Sequence, residues 1–214
     1  MEEGEGPKRL KGEFREEDTR PRVLMTKRII EERIIDACRR GDMDAFRQIF
    51  EAYKDRVYSI ALCFFDGNES VAMDTTQEVF LKLMTTVSQF QNRSEFSTWL
   101  YRIVTNACLD RKRALRRLLF FGSSHDLEPP DRHKSVEEKY IRNEMERSVR
   151  AVISGMSAKL RMTVLLKYFE DLSYDEMATV LGCSKGTVAS RLNRAHRILA
   201  RKLSHLRGAF ASEE

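Results

Sequence analysis

Apolar side chains recur at steps of three and four along most of this 214-residue chain, the spacing that collects them on one stripe of an α-helix. From about Ile29 one stripe runs through Ile30, Ile34, Ile35 and Cys38, and the next through Phe46, Ile49, Phe50, Tyr53, Val57, Ile60 and Ala61. Asp66-Gly67-Asn68 reads as a turn. The helix that follows, about Glu69 to Thr86, directs Val79, Phe80 and Leu83 to the core and carries Asp74, Gln77, Glu78 and Leu81 along adjacent turns, a polar acidic edge beside an apolar face. After the polar loop "QFQNRSEF", a helix beginning near Phe96 ends in Arg111, Lys112, Arg113, Arg116 and Arg117. Four more helical segments follow, "EEKYIRNEMERSVRAVISGM", "SAKLRMTVLLKYFEDL", "SYDEMATVLG" and "SKGTVASRLNRAHRILARKLSHL", and no segment reads as a strand.

The last two segments carry the clearest local signature. Ser173 and Glu176 have capping-box spacing, which starts a short helix. Met177, Val180 and Leu181 turn inward, small Ala178 lets a second helix approach, and Gly182 can take the left-handed conformation that ends the first. Ser184 caps the next helix, whose buried stripe is Val188, Leu192, Ala195 and Leu199. Lys185, Thr187, Ser190, Arg191, Asn193, Arg194 and Arg197 are left facing outward. Ala178, Gly182 and Val188 thus have helix-turn-helix spacing, and the outward face of the second helix is polar or basic throughout, as a major-groove helix requires. Arg191 and Arg194 suit guanine edges, while Lys185 and Thr187 suit backbone phosphates.

Composition adds the domain organisation. Residues 1–28 mix charges of both signs with Gly and Pro and predict a disordered extension, and "FFGSSHDLEPPDRHKSVEEKY" has the composition of a linker. The expected fold is all-α: a helical domain over 29–117, a flexible linker over 118–138, a helix-turn-helix domain over 139–207 and a tail over 208–214. Net charge is only +5, but from Lys185 to Arg207 there are seven Lys or Arg and no Asp or Glu. With the cluster near Arg111, that makes two basic surfaces. The four cysteines are scattered within apolar patterns and the four histidines show no ligand spacing, so neither a disulfide, a metal nor another cofactor is expected. No apolar run approaches the length of a membrane span, and the start lacks the apolar core of a signal peptide, which predicts a cytoplasmic protein.

"DTTQEVFLKL", then "FSTWLYRIVTNACLDRKR", then "LSYDEMATVLGCSKGTVASRLNRAHRILARKL" together resemble, in order, the extracytoplasmic-function class of bacterial RNA polymerase sigma factors. The resemblance covers about Asp36 to Leu203. It implies that Asp74, Gln77, Glu78 and Leu81 bind the core polymerase. It implies further that the helix holding Trp99, Tyr101 and Arg102 faces the promoter minus-ten element, that Arg93, Ser94 and Phe96 belong to a loop capturing a flipped base, and that Asn106 helps form the floor of that pocket. Lys185, Thr187, Ser190, Arg191, Asn193, Arg194 and Arg197 would contact the minus-thirty-five element. Its other implied partner is an anti-sigma factor.

Such a protein opens DNA without ATP, so the cost of unstacking must be offset by tighter binding of the opened strand. Tyr101 is the candidate stacking platform and Trp99 a core residue, with Arg102, Arg111, Lys112 and Arg113 on flanking phosphates. A tether of some 25 residues at ~3.3 Å each reaches ~80 Å. Promoter elements ~25 base pairs apart lie ~85 Å apart, a span that domains folded tightly together could not bridge. The alternative is a stand-alone helix-turn-helix regulator, which has no need of the "DTTQEVFLKL" edge. An enzyme is disfavoured because no Asp, Glu and His residues converge in pattern for catalysis.

Overall fold

Each apolar stripe becomes the buried face of a helix. The computed structural model describes residues 32–121 and 140–204, with side chains over 32–118 and 146–204, and there is no strand among them. The order is α1 (32–39), α2 (Met43–Phe64), α3 (Glu69–Thr86), a 3-10 turn (Val87–Gln89), α4 (Phe96–Phe121), α5 (Tyr140–Ser154), α6 (Ala158–Tyr168), α7 (Tyr174–Leu181) and α8 (Lys185–Lys202). Side-chain caps set several of the starts. Asp42 accepts the Asp44 and Ala45 N–H groups at 2.9 and 3.1 Å ahead of α2, and Asn68 accepts the Val71 N–H at 3.0 Å ahead of α3.

The first three long helices enclose Val57, Ile60, Phe64, Val79, Leu83, Leu100 and Val104, all buried. Rings lock the end of this bundle that leads into α4: Phe50 meets Phe80 edge-on at 4.8 Å, and Phe90 and Phe96 both pack on Trp99, at 5.2 and 5.9 Å. Trp99 is half-buried in this aromatic group, in keeping with a packing role.

The second half does not hang apart from the first. α4 lies against α7 and α6, α2 lies against α6, and Met162, Leu165, Leu166, Leu172, Met177 and Val180 continue the same core as Val57 and Leu100. Arg161 joins the halves: its Nη1 donates to the Phe64 carbonyl at 2.5 Å and its Nε to the Ile153 carbonyl at 3.1 Å. Burial lowers the Arg161 pKa against the opposing charge of Asp66. A smaller cluster of Met156, Leu160, Val164 and Ala195 ties α8 to α6.

The two expected helical domains thus lie closed against each other, not at the ends of an extended tether. The reason lies in α4, which buries Leu100, Ile103, Val104 and Ala107 on one stripe and Thr98, Tyr101 and Thr105 on another. A helix covered over so much of its circumference needs a second neighbour, and periodicity alone does not name it. α4 also runs past the expected boundary at Arg117 to Phe121. The extension over 1–28, most of the linker and the tail lie outside the described residues.

Candidate nucleic-acid interface

The helix-turn-helix is built as its residue pattern requires. The Ser173 hydroxyl and backbone N–H both donate to the Glu176 carboxylate, at 2.6 and 2.8 Å, while the Glu176 N–H returns to the Ser173 Oγ at 3.3 Å. Gly182 ends α7 at φ 58°, where a side chain would be strained, and the Cys183 N–H closes the turn on the Ala178 carbonyl at 3.0 Å. Ser184 caps α8 by accepting the Thr187 N–H at 3.2 Å. Val188, Leu192 and Ala195 are buried beneath, and Leu199 is half-buried.

The outward face of α8 is not uniform. Asn193, Arg194 and Arg197 are exposed and make no hydrogen bond or ion pair with a described residue. Lys185 pairs with Asp175 at 2.7 Å, and the Ser190 hydroxyl donates to the Thr187 carbonyl at 3.0 Å. Thr187 is half-buried with its hydroxyl 3.0 Å from that of Ser184. Arg191 is half-buried too, and its Nη1 lies 3.7 Å from the Cys183 sulfur. Arg194 is thus better placed than Arg191 for a guanine edge, since only a freely extended guanidinium can present its fork.

On α3, Asp74, Gln77, Glu78 and Leu81 share one exposed face, with Val79, Phe80 and Leu83 buried behind it. Met73 and Met84 are exposed on the same helix, 51 and 47%, so Leu81, at 67%, has apolar company that the sequence reading missed. Their spacing from Gln77 and Leu81 was the available signal. Arg111, expected on a phosphate, instead bridges this edge from α4, 3.9 Å from Asp74 and 3.4 Å from Glu78.

Of the remaining residues expected at the minus-ten element, Arg93, Arg102, Asn106 and Arg113 are exposed, and Arg113 pairs with Asp110 at 2.8 Å. Lys112 is half-buried, and its pKa is lowered by burial and by the nearby Arg161. The loop ahead of α4 forms a recess lined by Phe90, Asn92, Ser94, Glu95 and Phe96, with Glu32 and Ile35 of α1 opposite. Phe96 is buried as a wall of it and Ser94 is half-buried. Asn106 does not line the recess; ten residues beyond Phe96, it lies ~15 Å further along the helix.

Tyr101 is the largest departure. It is 2% exposed, and its hydroxyl donates to the Glu170 carboxylate across the two halves. Burial and the Glu170 carboxylate push the tyrosine pKa up, burial likewise raises that of Glu170, and Arg56 nearby opposes both shifts. In this closed arrangement Tyr101 is a contact between the halves and presents no ring to a base. Among the described residues no three His, Cys, Asp or Glu side chains group as a metal site, and no helix is long and apolar enough to cross a membrane.

Two exposed faces of different chemistry, one acidic and apolar on α3 and one acid-free on α8, now have their context. A family model described as Sigma-70 region 2 matches residues 49–118, and one described as Sigma-70, region 4 matches residues 146–199. The ECF RNA polymerase sigma factor SigW of Bacillus subtilis is 30% identical over 181 residues, covering 80% of this chain and 96% of its own. The chain belongs to the ECF sigma factors of the sigma-70 family. The RNA polymerase sigma-H factor of Pseudomonas aeruginosa is 30% identical over 187 residues, covering 82% of this chain and 95% of its own. Among solved structures, CnrH in complex with the cytosolic domain of CnrY matches with a TM-score of 0.61 at 22% identity, over 82% of this chain and 97% of that one. The sigma factor RpoE of Bartonella quintana, in complex with the anti-sigma factor NepR, matches at 0.58 and 21%, over 74 and 96%. For an ECF sigma factor, α3 falls within region 2, and α7 and all but the last turn of α8 within region 4.

Proposed function

We propose that this chain is the promoter-specificity subunit of bacterial RNA polymerase for one set of promoters, a non-catalytic factor that joins core enzyme, reads two promoter elements and assists melting. The observation that carries this reading is the pair of independent exposed faces on one chain. An acidic edge with exposed methionines and a leucine on α3 suits a protein partner, because apolar contact area supplies affinity and charge supplies register. The face of α8 suits a major groove, with Arg194, Asn193 and Arg197 exposed and Lys185 and Thr187 at the helix start, where backbone phosphate is favoured.

The α3 residues Asp74, Gln77, Glu78 and Leu81 are assigned to core polymerase. Arg102 and Arg113 are assigned to phosphates at the minus-ten element, and Arg93, Ser94 and the wall made by Phe96 to an unpaired base there. Tyr101 can stack on a base only after Glu170 has left it, so engagement of both elements requires the halves to part. An anti-sigma partner, of the kind seen with the Bartonella quintana factor, would act by opposing that parting.

Run-off transcription from a genomic promoter pool tests the function. The chain added to core polymerase should produce discrete transcripts absent with core alone. Binding of operator-like duplexes by the chain alone, with no transcripts, would favour the stand-alone regulator.

A further inference from the structure

The recess ahead of α4 is held by a residue far from it in sequence. Arg39, on α1, directs Nη2 to the Phe90 carbonyl and, at 3.1 Å, to the Asn92 Oδ1. Its Nη1 donates to the Asp36 carboxylate at 2.6 Å, and its guanidinium sits 5.6 Å from the centre of the Phe90 ring. The two loop residues it grips line the recess: Phe90 caps the end of the 3-10 turn in an extended conformation, and Asn92 holds a left-handed backbone at φ 54°. α1 therefore supplies both a wall of the recess, through Glu32 and Ile35, and the clamp on the opposite wall.

We propose that Arg39 is a positioning residue for base capture: anchored by Asp36, it fixes Phe90 and Asn92 so that the loop is already shaped to receive an unpaired base. This rests on the assignment of the loop to an unpaired base. A planar guanidinium suits the task because its donors have fixed directions, whereas an ammonium is a point charge on a flexible stem. The loop from Phe90 to Glu95 lies outside the helices. A loop that samples several shapes binds with an affinity reduced by the fraction in the competent one, and a clamp raises that fraction. Arg39 itself need not touch DNA, so its effect is confined to the nucleotide the recess receives.

The test uses the full chain assembled with core polymerase. The probes are fluorescent single strands carrying the non-template sequence of a promoter recovered by run-off transcription, with each nucleotide in turn replaced by an abasic site. For the wild type, one position should show a loss of affinity on the order of tenfold, the range expected when a stacked base is removed. If none does, the loop does not capture a base, and the assignment of the loop fails before Arg39 is questioned. Given such a position, Arg39→Gln should shrink its penalty to about twofold or threefold, because an unshaped recess gains less from the base. Penalties elsewhere should persist. Arg39→Lys should restore only part of it, and Asn92→Gly, which still permits the left-handed backbone and removes the carboxamide that Arg39 grips, should act in the same direction and add little to Arg39→Gln. A full-sized penalty in Arg39→Gln would overturn the inference. Equal weakening at every position with a flatter salt dependence would also do so, making Arg39 a phosphate contact. If Arg39→Gln loses wild-type helicity, Asn92→Gly decides alone: an unchanged penalty refutes the clamp.

Discussion

α8 and α4 both join an apolar stripe to basic side chains, yet the structure treats them differently. On α8 the polar face stays open, with Asn193, Arg194 and Arg197 exposed. On α4 the side bearing Tyr101 is closed by the second half of the molecule, and Arg111 is drawn to the acidic edge of α3. A pattern of side chains specifies which face of a helix is apolar, but a face of intermediate character, such as Thr98, Tyr101 and Thr105, can be wetted, packed or used. Thr98 and Thr105 are buried with their hydroxyls unpaired among the described residues, a cost of about 1–3 kcal/mol for each such group. The closed arrangement itself is favoured by the apolar contacts between the halves and by Arg161.

The largest effect should come from reversing charge on α3. Asp74→Lys with Glu78→Lys should abolish co-purification with core polymerase while circular dichroism stays helical, since both side chains are exposed. Retention at wild-type yield would remove the docking face and leave α8 as the sole recognition surface.

Arg161→Met tests what binds the halves. It leaves the buried Phe64 carbonyl without its side-chain donor, at about 1–3 kcal/mol, while the Ile153 carbonyl keeps the Met156 N–H at 3.0 Å, so thermal unfolding should shift downward clearly. A midpoint equal to that of wild type would show that the apolar contacts alone hold the arrangement.

For α8, Arg194→Ala should cost about 1–3 kcal/mol at promoters that need the upstream element and should relax base preference at one position, as loss of a bidentate contact does. Lys185→Ala, which removes a charge already paired with Asp175, should lower affinity without changing preference. Promoter-variant transcription profiles separate these two outcomes.

The smallest effect concerns the Tyr101 contact and depends on pH. Burial raises the Glu170 pKa in the closed form, so closing favours the protonated carboxyl. Its contribution to closure is fully present below the ordinary carboxylate value and fades as pH climbs through the raised one. Inter-half energy transfer between fluorophores should therefore fall across that interval, and Glu170→Gln should flatten the response. A pH response unaltered in Glu170→Gln would assign it to another group.

Much of this molecule could be read from residue order because the causes are local. The span of α3, Glu69 to Thr86, follows from its apolar steps and the Asn68 cap; the turn at Gly182 and the Ser173–Glu176 box follow from side chains three or four residues apart. The exposure of Asp74, Glu78 and Arg194 follows from the same periodicity. Residue spacing could not show that Arg39 reaches a loop 51 residues away, that Arg161 caps the end of α2 from 97 residues away, or that Tyr101 meets Glu170 across 69. Those contacts depend on how whole helices pack, and helix packing is decided by the sum of many weak apolar contacts over a surface, of which each stripe in the sequence records only one side.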